Sequence, residues 1–215
     1  MVERDGQRGK WNVSRGIFWP AVILAVAALT GCQSSSNESA DKTADPESAM
    51  SAANAVSNAC ELLDPSVLNT WESTPGKREH REENMLGRRL TCDVENESTT
   101  TGRLAAMHLS AIVHSNAGEA LSGYDSGIRF AEADSDKSAS GPISGVGERA
   151  YFVWTKRDFN SSAMLNTASE YQLLVRDGAI EIQLVLFVAA PDIDQEQAAR
   201  VTKPQALRIL ETLKG

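Results

Sequence analysis

Apolar and polar residues alternate along two segments of the chain, residues 103–114 and residues 179–189. Because successive side chains of a strand point to opposite faces, this period of two predicts two β-strands. The second segment places five aliphatic side chains on one face: Ile180, Ile182, Leu184, Leu186 and Val188. It follows Asp177-Gly178, and an Asp-Gly pair between two apolar segments predicts a hairpin, since the turn requires positive φ at both positions. Residues 170–176 are the predicted first strand of that hairpin.

Apolar residues recur at helical spacing in three other places. Residues 58–69 predict a short helix that restarts at Asp64-Pro65, where a proline suits a first helical turn. Residues 117–133 predict a second helix, and Gly123 and Gly127 weaken it because glycine is a poor helix former. These two helices flank the first alternating strand.

The third helix closes the chain. It begins after Asp194, whose side chain suits the position that caps a helix. Its predicted buried stripe consists of three residues: Leu207, Leu210 and Leu213. Pro204 lies within this segment and either kinks the helix or starts a second one at its first turn.

Two more strands and two loops complete the predicted fold. Residues 88–95 and 150–155 are predicted strands, whereas the charged residues 73–84 and the small residues 135–147 are predicted loops. The order is helix, two strands, helix, three strands, helix. This order predicts an α+β fold: an antiparallel sheet of about five strands with helices packed on it, and one disulfide.

The first 31 residues have the pattern of a secretion signal. A basic stretch precedes residues 17–29, which are apolar but cover only about 20 Å as a helix, short of the roughly 30 Å hydrocarbon core of a membrane. Leu29-Thr30-Gly31-Cys32 follows and resembles the lipobox of bacterial lipoprotein precursors. The resemblance implies a diacylglyceryl thioether on Cys32 and cleavage between Gly31 and Cys32. A plain signal peptide or an uncleaved signal anchor is the alternative.

The chain divides into three predicted regions. Residues 1–31 are the lipoprotein signal peptide, and residues 32–55 are the lipidated cysteine with a flexible tether. The tether is rich in Ser, Asn, Ala, Asp and Thr and has no apolar periodicity. Residues 56–215 are the globular α+β domain. We therefore expect the domain to lie at the outer face of the cytoplasmic membrane, held by lipid on Cys32.

Charge and cysteine usage narrow the class of protein further. The formal net charge of −8 disfavours nucleic acid as a partner, because binding to phosphates requires positive charge. The chain has three cysteines. If Cys32 carries lipid, Cys60 and Cys92 remain as an even pair in an exported protein, which favours a disulfide. A pair of free thiols, or one reactive thiol, is the alternative.

Several short motifs resemble a family of actinobacterial lipoproteins that share a small two-cysteine domain of unknown function. They are NACELLDPSVL, then RRLTCDVEN, then GVGERAYFVW, followed by the hairpin and the closing helix. The residues at matching positions are Cys60, Leu62, Leu63, Cys92, Gly145, Gly147, Glu148, Ala150 and Tyr151. The resemblance covers about residues 56–214, and Val94 departs from it where the family often has an aromatic residue. It implies the fold, the Cys60–Cys92 disulfide and a place in the cell envelope, but no activity.

Candidate chemistry is sparse. The glycine-rich stretch at Gly145 and Gly147 has the spacing of a dinucleotide-binding loop, but a strand follows where that motif requires a helix, which favours a turn. His108 and His114 share one face of a strand about 20 Å apart, too far to bind one metal ion. The sequence therefore predicts no catalytic residues, no metal site and no cofactor.

The aromatic strand offers the best candidate for a binding face, and the acidic loop around Glu132, Asp134 and Asp136 is the alternative. Alternation places Phe152 and Trp154 on one side and Tyr151 on the other, and one of these sides is a candidate contact surface. The leading hypothesis is a non-catalytic binding or interaction module of the cell envelope, with an unknown envelope protein or a small apolar ligand as partner. The alternatives are an extracytoplasmic carrier of an apolar or lipid ligand and an envelope enzyme.

Overall fold

A computed structural model of the chain describes residues 45–84, 87–134, 136–158, 167–190 and 193–215, which belong to one compact unit. Gly31 and Cys32 lie outside the described residues. The strands within them are β1 (Pro75–Glu83), β2 (Arg88–Ser98), β3 (Arg103–Val113), β4 (Lys137–Ile143), β5 (Arg149–Asp158), β6 (Thr167–Asp177) and β7 (Ile180–Ala189). The helices are α1 (Pro46–Ala55), α2 (Ala117–Glu132) and α3 (Gln195–Lys214), with 3₁₀ helices at Ala59–Leu62 and Pro65–Thr70.

The strands form one antiparallel sheet in the order β1-β2-β3-β7-β6-β5-β4. This confirms the predicted α+β fold, but the sheet contains seven strands where about five were predicted. The two additional strands, β1 and β4, are the two edges of the sheet and replace the predicted loops. An edge strand is held by backbone pairing along one side, so it requires no alternation of apolar residues.

One face of the sheet is buried under α1, α3 and the two 3₁₀ helices. The predicted aliphatic face of β7 lies at the centre of this core, and each of its five side chains is buried. Two side chains of α3, Ile209 and Leu213, are fully buried against it. We refer to this side of the sheet as the core face.

The closing helix forms as one continuous element. Asp194 caps it, accepting a hydrogen bond from the backbone N–H of Gln197 at 2.7 Å while the Gln197 side chain bonds back to the Asp194 backbone. Pro204 lies inside α3 without ending it. Among the described residues, no helix is both long enough and apolar enough to cross a membrane.

A helix occupies part of the segment predicted to be a flexible tether. Asp45 caps α1 by accepting a hydrogen bond from the Ser48 N–H at 3.1 Å, and Pro46 occupies the first turn. Ala49 and Ala53 are fully buried. The folded structure thus begins by residue 45 rather than residue 56. The sequence does not reveal this helix because its buried face consists of alanines, which produce little contrast in hydrophobicity.

The predicted first helix and the disulfide lie side by side. Two 3₁₀ helices replace the single helix, and the break is at Asp64-Pro65 as predicted, with the Asp64 side chain accepting from the Ser66 N–H at 3.0 Å. The disulfide is confirmed: the Cα atoms of Cys60 and Cys92 are 5.1 Å apart. It joins the first 3₁₀ helix to β2.

The helix α2 packs on the opposite face of the sheet, against β5, β6 and β7. Its two glycines allow the helix backbone to lie close to the sheet. A Cβ atom at Gly123 would lie 2.0 Å from Glu181 Oε2, and one at Gly127 would lie 3.1 Å from Leu174 Cδ2. A second, smaller apolar cluster fills this contact: Tyr124, Ala131, Val153 and Leu174. The glycines cost helix propensity but allow the helix backbone to lie against the sheet.

Candidate ligand-binding groove

The helix α2 covers only part of its face of the sheet. The outward side chains of β3, from Leu104 to Ile112, are half-buried, whereas their neighbours that point to the core face are buried. We call the uncovered area, formed by β1, β2, β3 and the adjoining side chains of β7, the open face. An antiparallel register brings side chains from four strands into straight rows across it.

Two of these rows define a candidate site. The first row is Glu83, Arg89, Ile112 and Glu181, and the second row is Arg81, Thr91, Ser110 and Gln183. A cleft of about 320 Å³ lies between the first row and α2, with Gly87, Gly123 and His114 in its walls. A second cleft of about 270 Å³ lies over both rows and reaches His108. The clefts share the four residues of the first row and form one continuous depression, which we call the groove.

A histidine–carboxylate pair lies at the α2 end of the groove. The His114 Nε2 and Glu181 Oε2 atoms are 2.9 Å apart, and His114 is only 8% exposed. An ionised carboxylate only accepts hydrogen bonds, so Nε2–H is the donor, and in a neutral imidazole Nδ1 is then an acceptor. Among the described residues, Nδ1 has no hydrogen-bond partner. This nitrogen is therefore available to a donor group of a ligand.

A second pair lies farther along the same strand. The Nδ1 atom of His108 is 2.7 Å from Asp93 Oδ1, and Arg81 Nη2 is 3.9 Å from the other oxygen of that carboxylate. The His108 side chain is 41% exposed. With Nδ1–H donating to Asp93, the Nε2 atom of a neutral imidazole is an acceptor. The groove thus has a similar acceptor near each end.

The first turn of α2 adds negative charge beside His114. The Ser115 hydroxyl donates a hydrogen bond of 2.8 Å to Glu119 Oε2 and lowers the pKa of that carboxyl below its usual range. The Glu119 N–H donates to Asn116 Oδ1 at 3.0 Å, which caps the helix. A carboxylate at this position is favoured because the N-terminal end of a helix carries partial positive charge.

The polar groups of the groove include two histidine–carboxylate pairs and the hydroxyls of the strand residues beside them. Among the hydrogen bonds of the described residues, none joins a hydroxyl or thiol to the ring of His108 or His114. Residues 45–84, 87–134, 136–158, 167–190 and 193–215 contain no group of three or more His, Cys, Asp or Glu side chains placed to hold a metal ion. The groove presents ion pairs, short polar side chains and one aliphatic residue, Ile112, on a rigid sheet.

The aromatic strand does not form a common exposed surface. Trp154 is buried, and Phe152 stacks on Tyr171 with the ring centroids 5.7 Å apart. Burial raises the pKa of Tyr171 to about 12. Tyr151 lies on the other face, where its hydroxyl donates a 2.6 Å hydrogen bond to Glu132 Oε1. The predicted alternation is correct, but both sides of the strand are used in packing.

The glycine-rich stretch forms the predicted turn into a strand. Gly145 and Gly147 have φ values of 75° and 58°, a region that favours glycine, and β5 begins at Arg149. A Cβ atom at Gly147 would lie 2.8 Å from the Arg176 carbonyl oxygen. The glycines are thus explained by the path of the backbone.

The sequence predicts that the two histidines share a face but does not reveal their carboxylate partners. Asp93 belongs to β2 and Glu181 to β7, and only the strand registers bring them beside β3. The chain matches no family model, and no curated protein or solved structure is significantly similar to it.

Proposed function

We propose that the chain is a lipoprotein of the cell envelope, anchored to the outer face of the cytoplasmic membrane by lipid on Cys32, and that its folded domain is a non-catalytic binding module. The segment Leu29-Thr30-Gly31-Cys32 supports the anchor. The Cys60–Cys92 disulfide supports an oxidising compartment, since such bonds are rare in reducing cytosol.

The main support for a binding role is that helices cover one face of the sheet but only part of the other. The core face lies under two long helices and two 3₁₀ helices, while α2 leaves the open face uncovered beside it. In the groove beside α2, Arg89 and Glu181 lie on strands that are paired on both sides, and His114 directly follows β3. A rigid concave surface with a few fixed polar groups is the usual form of a binding site.

The shape of the groove indicates an elongated ligand. The free ring nitrogens of His114 and His108 lie six residues apart on one strand, about 20 Å at the rise of a β-strand. Between them are the hydroxyls of Ser110 and Thr91 and the apolar side chain of Ile112. The ligand that fits is an extended extracytoplasmic molecule, several residues or sugar units long, that donates hydrogen bonds at intervals. An envelope protein segment satisfies this description.

Site-specific photo-cross-linking in the producing cell tests the groove. A photoreactive amino acid at Ile112 lies in the floor of the groove, and the same amino acid at Leu207 provides the matched control. Leu207 is 37% exposed on α3, on the opposite side of the sheet. We expect a reproducible adduct from position 112 that is absent from position 207, and mass spectrometry of the adduct identifies the ligand class.

The outcomes separate the alternatives. A peptide or glycan adduct at position 112 supports the proposal, whereas an apolar small molecule assigns the carrier function instead. Equal labelling at positions 112 and 207, or none at either, contradicts a binding role for the groove. Substituting His114→Ala in the position 112 background is expected to reduce the adduct severalfold, because it removes the acceptor at the α2 end.

The anchor is tested separately with a clickable palmitate analogue. We expect Cys32 to be necessary for labelling of the chain, so that Cys32→Ala abolishes the label and releases the chain from the membrane fraction. Gly31→Leu places a large side chain beside the predicted cleavage site and is expected to block processing. Labelling that persists in the Cys32→Ala variant contradicts the anchor.

A further inference from the structure

The strand β1 is an edge of the sheet, and β2 is its one strand neighbour within the described residues. All of its residues except Glu79 and His80 are exposed. The opposite edge, β4, contains Pro142, which has no backbone N–H and so obstructs the addition of another strand. In β1 the only proline is its first residue, Pro75. The backbone of β1 is thus the more accessible of the two edges.

The charges of β1 have an unusual order. From residue 77 to residue 83 the sequence is Lys-Arg-Glu-His-Arg-Glu-Glu. Around His80 as the centre, every charged residue on one side corresponds to a residue of opposite charge at the same distance on the other side. The three matched sets are Lys77 with Glu83, Arg78 with Glu82, and Glu79 with Arg81.

We propose that β1 pairs with β1 of a second copy of this chain, antiparallel and centred on His80, so that two sheets join edge to edge. In this register Glu79 lies opposite Arg81 of the second copy, and Arg78 opposite Glu82, within the part of β1 that pairs regularly with β2. Lys77, which corresponds to Glu83 of the second copy, lies at the irregularity between Pro75 and Arg78. Residues directly opposite each other in an antiparallel pair have Cβ atoms about 4.5–5.5 Å apart on the same face. Two-fold symmetry produces each pair twice.

The same sequence selects this arrangement against its alternatives. In a parallel, in-register pair, Lys77 would lie opposite Lys77 and Glu83 opposite Glu83, which brings like charges together. Charged edge strands normally prevent association with unrelated edges. An edge whose charges are reversed about its centre repels most partners but attracts an antiparallel copy of itself. Charge complementarity therefore identifies the occupant of this edge as a second copy.

The side chains are free to reach across the edge. Lys77, Arg81 and Glu83 are 56%, 60% and 52% exposed. Their present ion pairs lie within one copy. Lys77 and Arg81 both pair with Glu79, with Arg81 Nε 3.0 Å from Glu79 Oε1, and Arg89 Nη1 is 3.5 Å from Glu83 Oε2. A carboxylate accepts several hydrogen bonds at once, so a second copy adds partners without displacing the first.

Charge-swap co-isolation tests the proposal with the full chain. Two differently tagged copies are produced together, extracted from membranes in detergent, and captured through one tag while the other is quantified. E79R places like charges opposite Arg81, and R81E places like charges opposite Glu79. Each variant is expected to lower co-isolation with itself by about tenfold, since two cross-strand pairs per dimer are reversed. Co-expression of E79R with R81E restores opposite charges at both pairs and is expected to restore the wild-type level.

Each alternative outcome overturns the proposal. Wild-type copies that do not co-isolate show that the chain does not self-associate. Equal recovery from wild type, from E79R, from R81E and from the E79R/R81E mixture assigns association to another surface. If co-isolation falls in both variants and is not restored in the mixture, the proposed register is contradicted. Retention of the Cys60–Cys92 disulfide, measured by thiol labelling, reports that each variant is folded. K77E with E83K repeats the test at the outermost pair if either first variant fails that check.

Discussion

The contact between α2 and the sheet provides the sharpest test of how the groove is built. Substituting Gly123→Ala places a methyl group where the Glu181 carboxylate now lies, with the Cβ atom 2.0 Å from Oε2 and 2.9 Å from Cδ. These distances are far inside van der Waals contact. Glu181 is a flexible side chain, so we expect its carboxylate to rotate away rather than α2 to detach. The 2.9 Å hydrogen bond to His114 Nε2 is then lost.

Two opposing effects determine the magnitude. Replacing glycine by alanine inside a helix stabilises it by about 1 kcal/mol. Losing a hydrogen bond to a charged group costs about 1.5–3 kcal/mol. The free energy of unfolding is therefore expected to fall by about 0.5–2 kcal/mol. Ser122→Ala is the matched control, because Ser122 is an exposed residue of the same helix and the substitution is expected to be neutral or slightly stabilising.

Urea denaturation followed by circular dichroism measures the free energy, and the ¹⁵N shifts of the His114 ring report whether Nε2 retains its partner. A double-mutant cycle with Glu181→Ala isolates the interaction: Gly123→Ala is expected to be less destabilising when the Glu181 side chain is already absent, because neither the steric conflict nor the hydrogen bond remains. A variant that is stabilised by about 1 kcal/mol, with unchanged His114 ring shifts, would falsify the close contact between α2 and β7.

Two further predictions concern the core and the acid range. Ile209→Ala is expected to lower the free energy of unfolding by about 2–5 kcal/mol, because the side chain is fully buried. The control, Leu207→Ala on the exposed side of α3, is expected to change it by less than about 0.5 kcal/mol. Urea titration of the two variants measures both free energies. A hydrogen bond from the Lys137 ammonium, with others from Ser140 and Tyr151, lowers the pKa of Glu132 to about 2. The contribution of Glu132 to stability is therefore complete above a pH of about 4.5 and is lost as the pH falls towards 2. In Tyr151→Phe, NMR titration of the Glu132 side chain is expected to show a higher pKa, because one of these hydrogen bonds is removed.

The sequence predicts the interior of the sheet better than its edges. The aliphatic face of β7 produces a strong pattern because the strand is buried on one face. The hairpin is also found, but its turn lies one residue later than predicted. Asp177 ends β6 and pairs with Ile180, so the turn is Gly178-Ala179, and Gly178 has a φ of 56°. By contrast, β1 has charged residues on both faces, since its pairing energy comes from the backbone. The helix α1 is also hard to predict from the sequence, because its buried residues, Ala49 and Ala53, do not form an obvious apolar stripe.

The candidate site depends on the register between strands, which the sequence of a single strand does not show. Alternation along residues 103–114 predicts that His108 and His114 share a face. Both do lie on the open face, with His114 one residue past the end of β3. Their partners, Asp93 and Glu181, are 15 and 67 residues away in the chain. A shift of one residue in either strand pairing would turn these carboxylates to the core face. The site is therefore specified by the burial of the core face, which fixes both registers, rather than by any local motif.

The groove and the proposed edge pairing are related through the geometry of β1. A two-fold axis perpendicular to the sheet leaves the open faces of both copies on the same side, with both α2 helices beside them and the α1 and α3 helices on the other side. Two grooves would then lie along one surface, and an extended ligand that spans both would gain affinity from its second contact. The two proposals are still separable by experiment. E79R changes the edge but no residue of the first row of the groove. Cross-linking of a ligand from Ile112 should therefore persist in this monomeric variant if the ligand contacts one groove. It should decline only if the ligand is long enough to reach both copies.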